Sequence, residues 1–335
     1  MSMTLTRRTL MAGLAVAGTF AATLAAAPAP SAAAELTKLT FVQEWPTPDG
    51  FWIPWILGSK KGFYADEGLE IEIVVPPTVA DTMKYLGTGR ADVAFTTVMD
   101  VIFARGEQAP VTAIGRYGRG NNWGIISPEG KPMTVADLKG KRIGIYNDAW
   151  TKAQLGMMLA DAKLTLDDVE MVAAADDTVP LLLQNKVDAI TGITNAEGTE
   201  MMTAGNQKAA FLPATEHGVP NTPIFMLAAN DDWLKAHPDQ AKAFLRATDK
   251  SIRYASEHPD EGVAAFKELY AKAFDEKYIT QQWADTIPLF GKLDGDLMVN
   301  EETDWTALLA ALTKFGVVKE VTAPTTYFSN AYLAK

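Results

Sequence analysis

The sequence predicts an α/β protein made of two lobes of similar topology followed by a helical C-terminal tail. Short apolar runs alternate with helical patterns along most of the chain, which is how βα units read in sequence. Two segments also match at one constant spacing: Thr82, Leu86, Arg90 and Asp92 correspond to Thr178, Leu182, Lys186 and Asp188. In both, a helix ends and a basic-x-Asp triplet opens an apolar strand. Finally, roughly 300 residues remain behind an N-terminal leader, more than one small core would hold.

Taken in order, Lys38–Gln43 alternates as a strand and Phe51–Phe63 reads as a helix. Glu70–Val75 is a strand, Val79–Leu86 a helix, Asp92–Phe95 a strand, Val98–Arg105 a helix and Val111–Tyr117 a strand. The second half repeats this with strands at Arg142–Tyr146, Glu170–Ala173 and Val187–Thr191, and helices at Thr151–Ala162 and Thr178–Gln184. After Pro223, Ile224–Ala229 is a further apolar run. Asp231 and Asp232 can cap a helix beginning at Trp233. Gln240–Tyr254, Asp260–Phe274 and Glu301–Phe315 are then helical, and they must pack on sheets already formed.

Residues 1–34 read as a cleavable export signal: Arg7-Arg8, an Ala- and Gly-rich apolar stretch from Leu10 to Ala27, then small residues to Ala34. The adjacent arginines point to the twin-arginine variant. The chain has no cysteine, which excludes lipid attachment at that residue, disulfides, thiolate catalysis and Cys-ligated zinc or iron–sulfur clusters. The net charge of −11 without a basic run argues against nucleic acid and anionic membranes as partners. No Ser-His-Asp order, His-Glu-x-x-His or phosphate-binding Walker loop is present. The expectation is therefore a soluble periplasmic monomer with neither cofactor nor metal.

Several local patterns then occur in a telling order: Lys61-Gly62-Phe63-Tyr64 leading to Glu67-Gly68-Leu69-Glu70, Gly89-Arg90-Ala91-Asp92-Val93-Ala94, Asp137-Leu138-Lys139-Gly140-Lys141-Arg142-Ile143-Gly144, Lys186-Val187-Asp188-Ala189 and Asn195-Ala196-Glu197-Gly198. Together they resemble the periplasmic binding proteins of ATP-binding-cassette importers, in the branch for thiamine pyrimidine precursors, nitrate, taurine and alkanesulfonates. The resemblance implies a type-II binding-protein fold with two crossover strands. One lobe would comprise 35–121 plus 224–335 and the other 122–223, closing about a ligand. It also implies an importer permease and its ATPase as partners. A eukaryotic branch of the fold makes the thiamine pyrimidine itself with a cysteine-rich motif and iron. Because this chain lacks cysteine, the expectation is that it is not an enzyme.

Ligands of open α/β sheets sit beyond the carboxyl ends of the strands. That rule selects Trp45, Phe51 and Trp52 after the first strand, Thr96 and Thr97 after the third, and Asn122 and Trp123 near the crossover. It also selects Asn147, Trp150 and Thr151 in the second lobe, Asn195 and Glu197 beyond its last strand, and Phe225 on the returning strand. Tryptophans Trp45, Trp52, Trp123 and Trp150 offer ring faces to a flat heterocycle or a cation, or else fill the core. The helix opening near Asn147–Thr151 either presents free N–H groups to an anion or is capped by Asn147 or Asp148. Glu197 matches the position that in pyrimidine-binding relatives accepts from ring amino groups. It also suits a helix first turn through the macrodipole alone. Where those relatives carry Asp-Trp and a Pro-Asn-x-x-His stretch, this chain has Glu44-Trp45-Pro46-Thr47-Pro48-Asp49-Gly50, and His217, His237 and His258 lie elsewhere. The expected ligand is a small nitrogenous heterocycle or a cationic amine. A sulfonate, taurine or nitrate held by Arg116 and Arg119 is the alternative.

Overall fold

A computed structural model describes residues 35–79, 81–174, 177–319 and 322–333. The export signal expected at residues 1–34 lies outside the described residues.

The first sheet is assembled from β1 (Thr37–Gln43), β2 (Leu69–Val74), β3 (Val93–Thr97), β4 (Val111–Tyr117) and a strand from far along the chain, Phe225–Asn230. The second takes β5 (Trp123–Ser127), β6 (Arg142–Tyr146), β7 (Glu170–Ala174), β8 (Ala189–Ile193) and β9 (Ala210–Pro213), which makes Phe225–Asn230 β10. Their orders are β2-β1-β3-β10-β4 and β7-β6-β8-β5-β9. In each, three parallel strands are followed by an antiparallel one: β10 against β3, and β5 against β8. The two halves thus share one topology, and the fold is the mixed α/β architecture expected.

The repeat in the sequence has a physical origin. The Asp92 carboxylate accepts from the Thr40 N–H of β1 at 2.8 Å, and Asp188 accepts from the Arg142 N–H of β6 at 2.9 Å. Each aspartate satisfies a backbone donor one residue before its strand begins to pair with the neighbour, at Phe41↔Val93 and Ile143↔Ala189, and so helps set the register of its sheet. Arg142 reinforces the second through a partly exposed ion pair with Asp188 at 2.9 Å.

Helices α1 (Ile53–Lys60), α2 (Phe63–Asp66), α3 (Asp81–Gly87) and α4 (Val98–Gly106) connect the first strands. Helices α5 (Ala149–Asp161), α6 (Val179–Leu183) and α7 (Glu197–Thr203) serve the second sheet. The tail comprises α8 (Asp231–Ala236), α9 (Pro238–Glu257), α10 (Pro259–Leu269), α11 (Glu276–Thr286) and α12 (Glu302–Lys314). Gly58 lets α1 close on α9, since a Cβ there would stand 2.0 Å from Ser251 Oγ. Phe41, Trp55, Tyr64 and Phe244 fill that interface. The second sheet buries a separate apolar set, Ile126, Val179, Leu182, Val187, Ile190 and Met201.

Three elements escaped the sequence reading: α2, β9 and α11; α7 was foreseen only as a first turn at Glu197. In addition, the helix expected over Asp260–Phe274 ends at Leu269, where Tyr270 takes a non-helical conformation. The tail also does more than cover the sheets. Phe328 bridges Ala113 in parallel beside β4, and Trp305 stacks on both Tyr327 and Phe328.

Candidate functional site

The carboxyl ends of the strands of both sheets meet at a constellation of carboxylates and rings. Gln43, the last residue of β1, pairs with Phe95 of β3, so Glu44 arrives beside Thr96. Thr97 caps α4: its Oγ1 accepts from the Asp100 N–H at 3.1 Å, and its hydroxyl donates to Asp100 Oδ2 at 2.6 Å. In the second half Asp148 caps α5, accepting from the Thr151 N–H at 2.7 Å and from its hydroxyl at 2.9 Å. The Trp45 and Tyr146 rings meet edge to face at 5.6 Å and carry the end of β1 to the end of β6. Asp100 and Asp148 thereby lie near enough for their charges to act on Glu44. Burial, with repulsion from Asp100 and Asp148, pushes the Glu44 carboxyl well above the usual range. Asp100 and Asp148 are raised by burial too, and their threonine hydrogen bonds pull the other way. Glu44 Oε2 is buried without a hydrogen-bond partner of good geometry, although the carboxyl lies within reach of the Asp100 and Thr96 side chains.

An aromatic wall adjoins this group. Phe225 pairs with Thr97 at the end of β3, stacks on Phe95 at 5.0 Å and meets Phe51 at 5.2 Å. Tyr117 joins them, its hydroxyl donating to the Phe51 carbonyl at 3.4 Å. Between Trp45 and Phe51, Asp49 accepts from the Phe51 N–H and from the amide of Gln282 on α11, and burial raises its carboxyl to about 7.

On the far side Glu197 sits folded beneath Gly192, where a Cβ would stand 2.6 Å from its Oε2, and accepts from the Ile193 N–H at 2.8 Å. Burial raises its carboxyl, while hydrogen bonds, including one with the Tyr146 hydroxyl, lower it. Glu200, one turn on, is raised by burial and by Asp177. The charges acting on Glu44, Asp49, Asp100, Glu197 and Glu200 are therefore those of other carboxylates.

The structure gathers Trp45, Phe51, Thr96, Thr97, Thr151 and Phe225 around these groups, and places Glu197 beside Tyr146. Trp52 is turned away: it is 1% exposed and packs edge-on against Tyr270 of the tail. Trp123, also 1% exposed, is a core residue whose ring meets the half-buried Trp150 at 5.8 Å. Asn147 is exposed and does not cap α5; Asp148 does. A carboxylate therefore already occupies the helix terminus that was considered for an anion. Asn195 is fully buried and ties the halves together, accepting from Asn122 at 2.7 Å and donating to Thr286 of α11 at 2.8 Å. Arg116 and Arg119, the candidate oxyanion ligands, donate to the carbonyls of Phe290, Asp296 and Leu297.

Sequence reasoning missed Asp100, Tyr146 and Gln282 altogether, and gave Glu44, Asp49 and Asp148 no binding role. The only signal at Asp100 is its place three residues after Thr97, a spacing that capping of α4 alone explains. Gln282 had no signal because α11 had none.

Curated relatives share sequence over most of the chain. A 4-amino-5-hydroxymethyl-2-methylpyrimidine phosphate synthase of Aspergillus parasiticus is 25% identical over 308 residues, covering 80% of this chain and 88% of that protein. A Haemophilus influenzae protein named for thiamine biosynthesis is 28% identical over 254 residues, covering 75% and 79%. Among solved structures, the periplasmic aliphatic sulphonate binding protein of Escherichia coli superposes with a TM-score of 0.68 at 16% identity, covering 88% of this chain and 98% of that one. That likeness establishes the periplasmic-binding-protein fold. The synthase names overturn the expectation that the chain is not an enzyme. Missing cysteine removes one chemistry, not catalysis as such. The family profile described as "NMT1/THI5 like" matches residues 52–262, more than half of the sequence, and the chain belongs to that family.

Proposed function

We propose that the chain is an exported solute-binding protein of an ATP-binding-cassette importer, and that its cleft holds a small nitrogenous heterocycle related to the thiamine pyrimidine. Residues 35–121 with 224–335 act as one lobe and 122–223 as the other, closing on the ligand as a monomer in the periplasm. The importer's permease and ATPase are its partners. The twin-arginine leader and the binding-protein fold favour this setting.

The observation that carries the ligand class is the pairing of ring faces (Trp45, Phe51, Phe225) with carboxylates at the strand ends. Carboxylates accept from amino groups and stabilise cations, and they repel sulfonate and nitrate. The two arginines that would suit an oxyanion are committed to carbonyls elsewhere. Thermal-shift titration of the purified protein tests this, because a ligand stabilises by mass action. Amino-pyrimidines are expected to raise the melting temperature, and taurine, an alkanesulfonate and nitrate to leave it unchanged. Stabilisation by the oxyanions alone would refute the reading.

The synthase names of relatives favour a second reading, in which the same cleft forms the pyrimidine rather than delivering it. Appearance of a pyrimidine phosphate in cell extract supplied with the protein, followed by mass spectrometry, would establish it.

A further inference from the structure

We propose that α11 couples the two sides of the candidate site: Gln282 positions the Asp49–Phe51 turn of the first half, and the end of the same helix positions the start of α7 in the second. Gln282 and Thr286 are thus positioning residues, acting on a ligand through the residues they hold. This rests on the reading that the strand ends of both sheets hold a nitrogenous heterocycle.

Helix α11 buries Ile279, Gln282, Trp283 and Thr286. Trp283 belongs to the tail, where its indole N–H donates to the Ala255 carbonyl at 3.0 Å. Gln282 and Thr286 are polar, which a helix resting on a core does not need, and a buried polar side chain costs stability unless its partners are in place. Their partners lie outside the tail. Gln282 uses both ends of its amide on one turn: Oε1 accepts from the Gly50 N–H at 2.7 Å and Nε2 donates to Asp49 Oδ2 at 3.3 Å. The fit is close, since a Cβ on Gly50 would stand 2.8 Å from Gln282 Oε1. Asp49 in turn accepts from the Phe51 N–H at 3.0 Å, so the amide fixes the turn that carries a ring of the aromatic wall. Thr286 lies one turn along on the same face. Its hydroxyl donates to the Gln282 carbonyl at 2.7 Å and accepts from the Asn195 amide at 2.8 Å. Beside it Asp285, held by Gln281 at 2.8 Å, accepts from the Thr199 hydroxyl at 2.6 Å. Asn195 and Thr199 stand on either side of Glu197 at the start of α7. Lys277, on the exposed side, donates to the Thr203 carbonyl at 2.7 Å and to Asn206 at 3.1 Å. Among the described residues no hydrogen bond joins the Asp49–Phe51 turn to α7 directly, and α11 is hydrogen-bonded to both. A displacement of α7 that carries Glu197 is therefore passed through α11 to the turn that carries Phe51.

Hydrogen–deuterium exchange of the full chain, read by mass spectrometry, tests the coupling without a ligand. Thr199→Val removes the bond to Asp285 from the α7 side and is expected to speed exchange of the peptide 46–52 by about threefold, a local opening, with α12 unchanged as the control for global loosening. Thr199→Ser keeps the hydroxyl and should exchange as the wild type does. Lys277→Met, a change on the exposed side, should speed the same peptide by about twofold, and it decides the question even if Thr199→Val does not fold. Unchanged exchange of 46–52 in these variants, with α7 alone loosened, overturns the coupling and leaves the heterocycle reading standing. Calorimetric titration with 4-amino-5-hydroxymethyl-2-methylpyrimidine is the second arm. Gln282→Met and Thr199→Val should each weaken binding by about fivefold, and the double variant by clearly less than the product, because both act through one helix. Full additivity, or affinity unchanged in both single variants, also overturns the coupling. Failure of the wild type to bind this probe overturns the heterocycle reading instead, and the exchange experiment then decides the coupling alone.

Discussion

At the scale of the residue, the candidate site is a set of acids whose burial disfavours their charged form. Asp49 shows the consequence for stability. Its folded-state value of about 7 lies above the ordinary 3.8, so between these pH values the folded protein holds a proton that the unfolded chain releases. Its contribution therefore favours the folded state at low pH and is lost as pH rises towards 7. Asp49→Asn is expected to raise the melting temperature of the unliganded protein at pH 8 and to change it little at pH 4. A loss of stability at pH 8 would show that the charged form is stabilised instead. For a cationic ligand the pH dependence is opposite, since protonated carboxylates attract it less: calorimetric affinity should increase between pH 6 and pH 8. The tryptophans separate by burial. Trp45→Ala should weaken ligand binding by more than about 1 kcal/mol, as a stacking anchor does, with little change in melting temperature. Trp52→Ala should instead cost about 3–5 kcal/mol of stability as a core truncation. The sequence placed both beside the same strand end. It did not show which way each ring turned, because that is decided by Tyr146 in the other half and Tyr270 in the tail.

At the scale of the element, hydrophobic alternation and capping residues made most strands and helices legible. The repeated aspartates, Asp92 and Asp188, correctly announced two sheets of one topology, because each does the same local work at a strand mouth. What stayed hidden depends on distant partners. Helix α11 has a weak pattern of its own, and its buried residues Gln282 and Thr286 are polar because they serve other segments: Gln282 accepts from the Gly50 N–H at 2.7 Å, and Thr286 accepts from Asn195. Helix packing gives a clean prediction at Gly58. Gly58→Ala should destabilise the protein by roughly 1–3 kcal/mol through overpacking of α1 on α9, read as a lower denaturation midpoint. Ser251→Gly in the same chain should recover part of that loss, because Ser251 supplies the two nearest contacts. No recovery would place the strain elsewhere.

At the scale of the whole molecule, one apolar core runs through both halves, from Phe41 and Phe95 of the first sheet to Ile125 and Ile143 of the second, and polar joints are added to it. Asn195 bonds Thr286, the Thr199 hydroxyl donates to Asp285 at 2.6 Å, and Lys277 reaches the Thr203 carbonyl at 2.7 Å, so α7 of one half is clasped by α11 of the tail. Asn195, Thr199 and Thr286 are buried, so these bonds fix α7 against α11, and Lys277 adds an exposed one. The candidate site lies beyond the strand ends of both sheets, with carboxylates and rings contributed by each. The central claim is that this cleft captures a nitrogenous ring. The most direct test is calorimetric titration of the purified full-length protein with an amino-pyrimidine and, separately, with an alkanesulfonate. The proposed function predicts saturable one-to-one binding of the amino-pyrimidine, lost on Glu44→Gln with Asp100→Asn, and no heat from the sulfonate. Saturable binding of the sulfonate with none of the amino-pyrimidine would contradict the account.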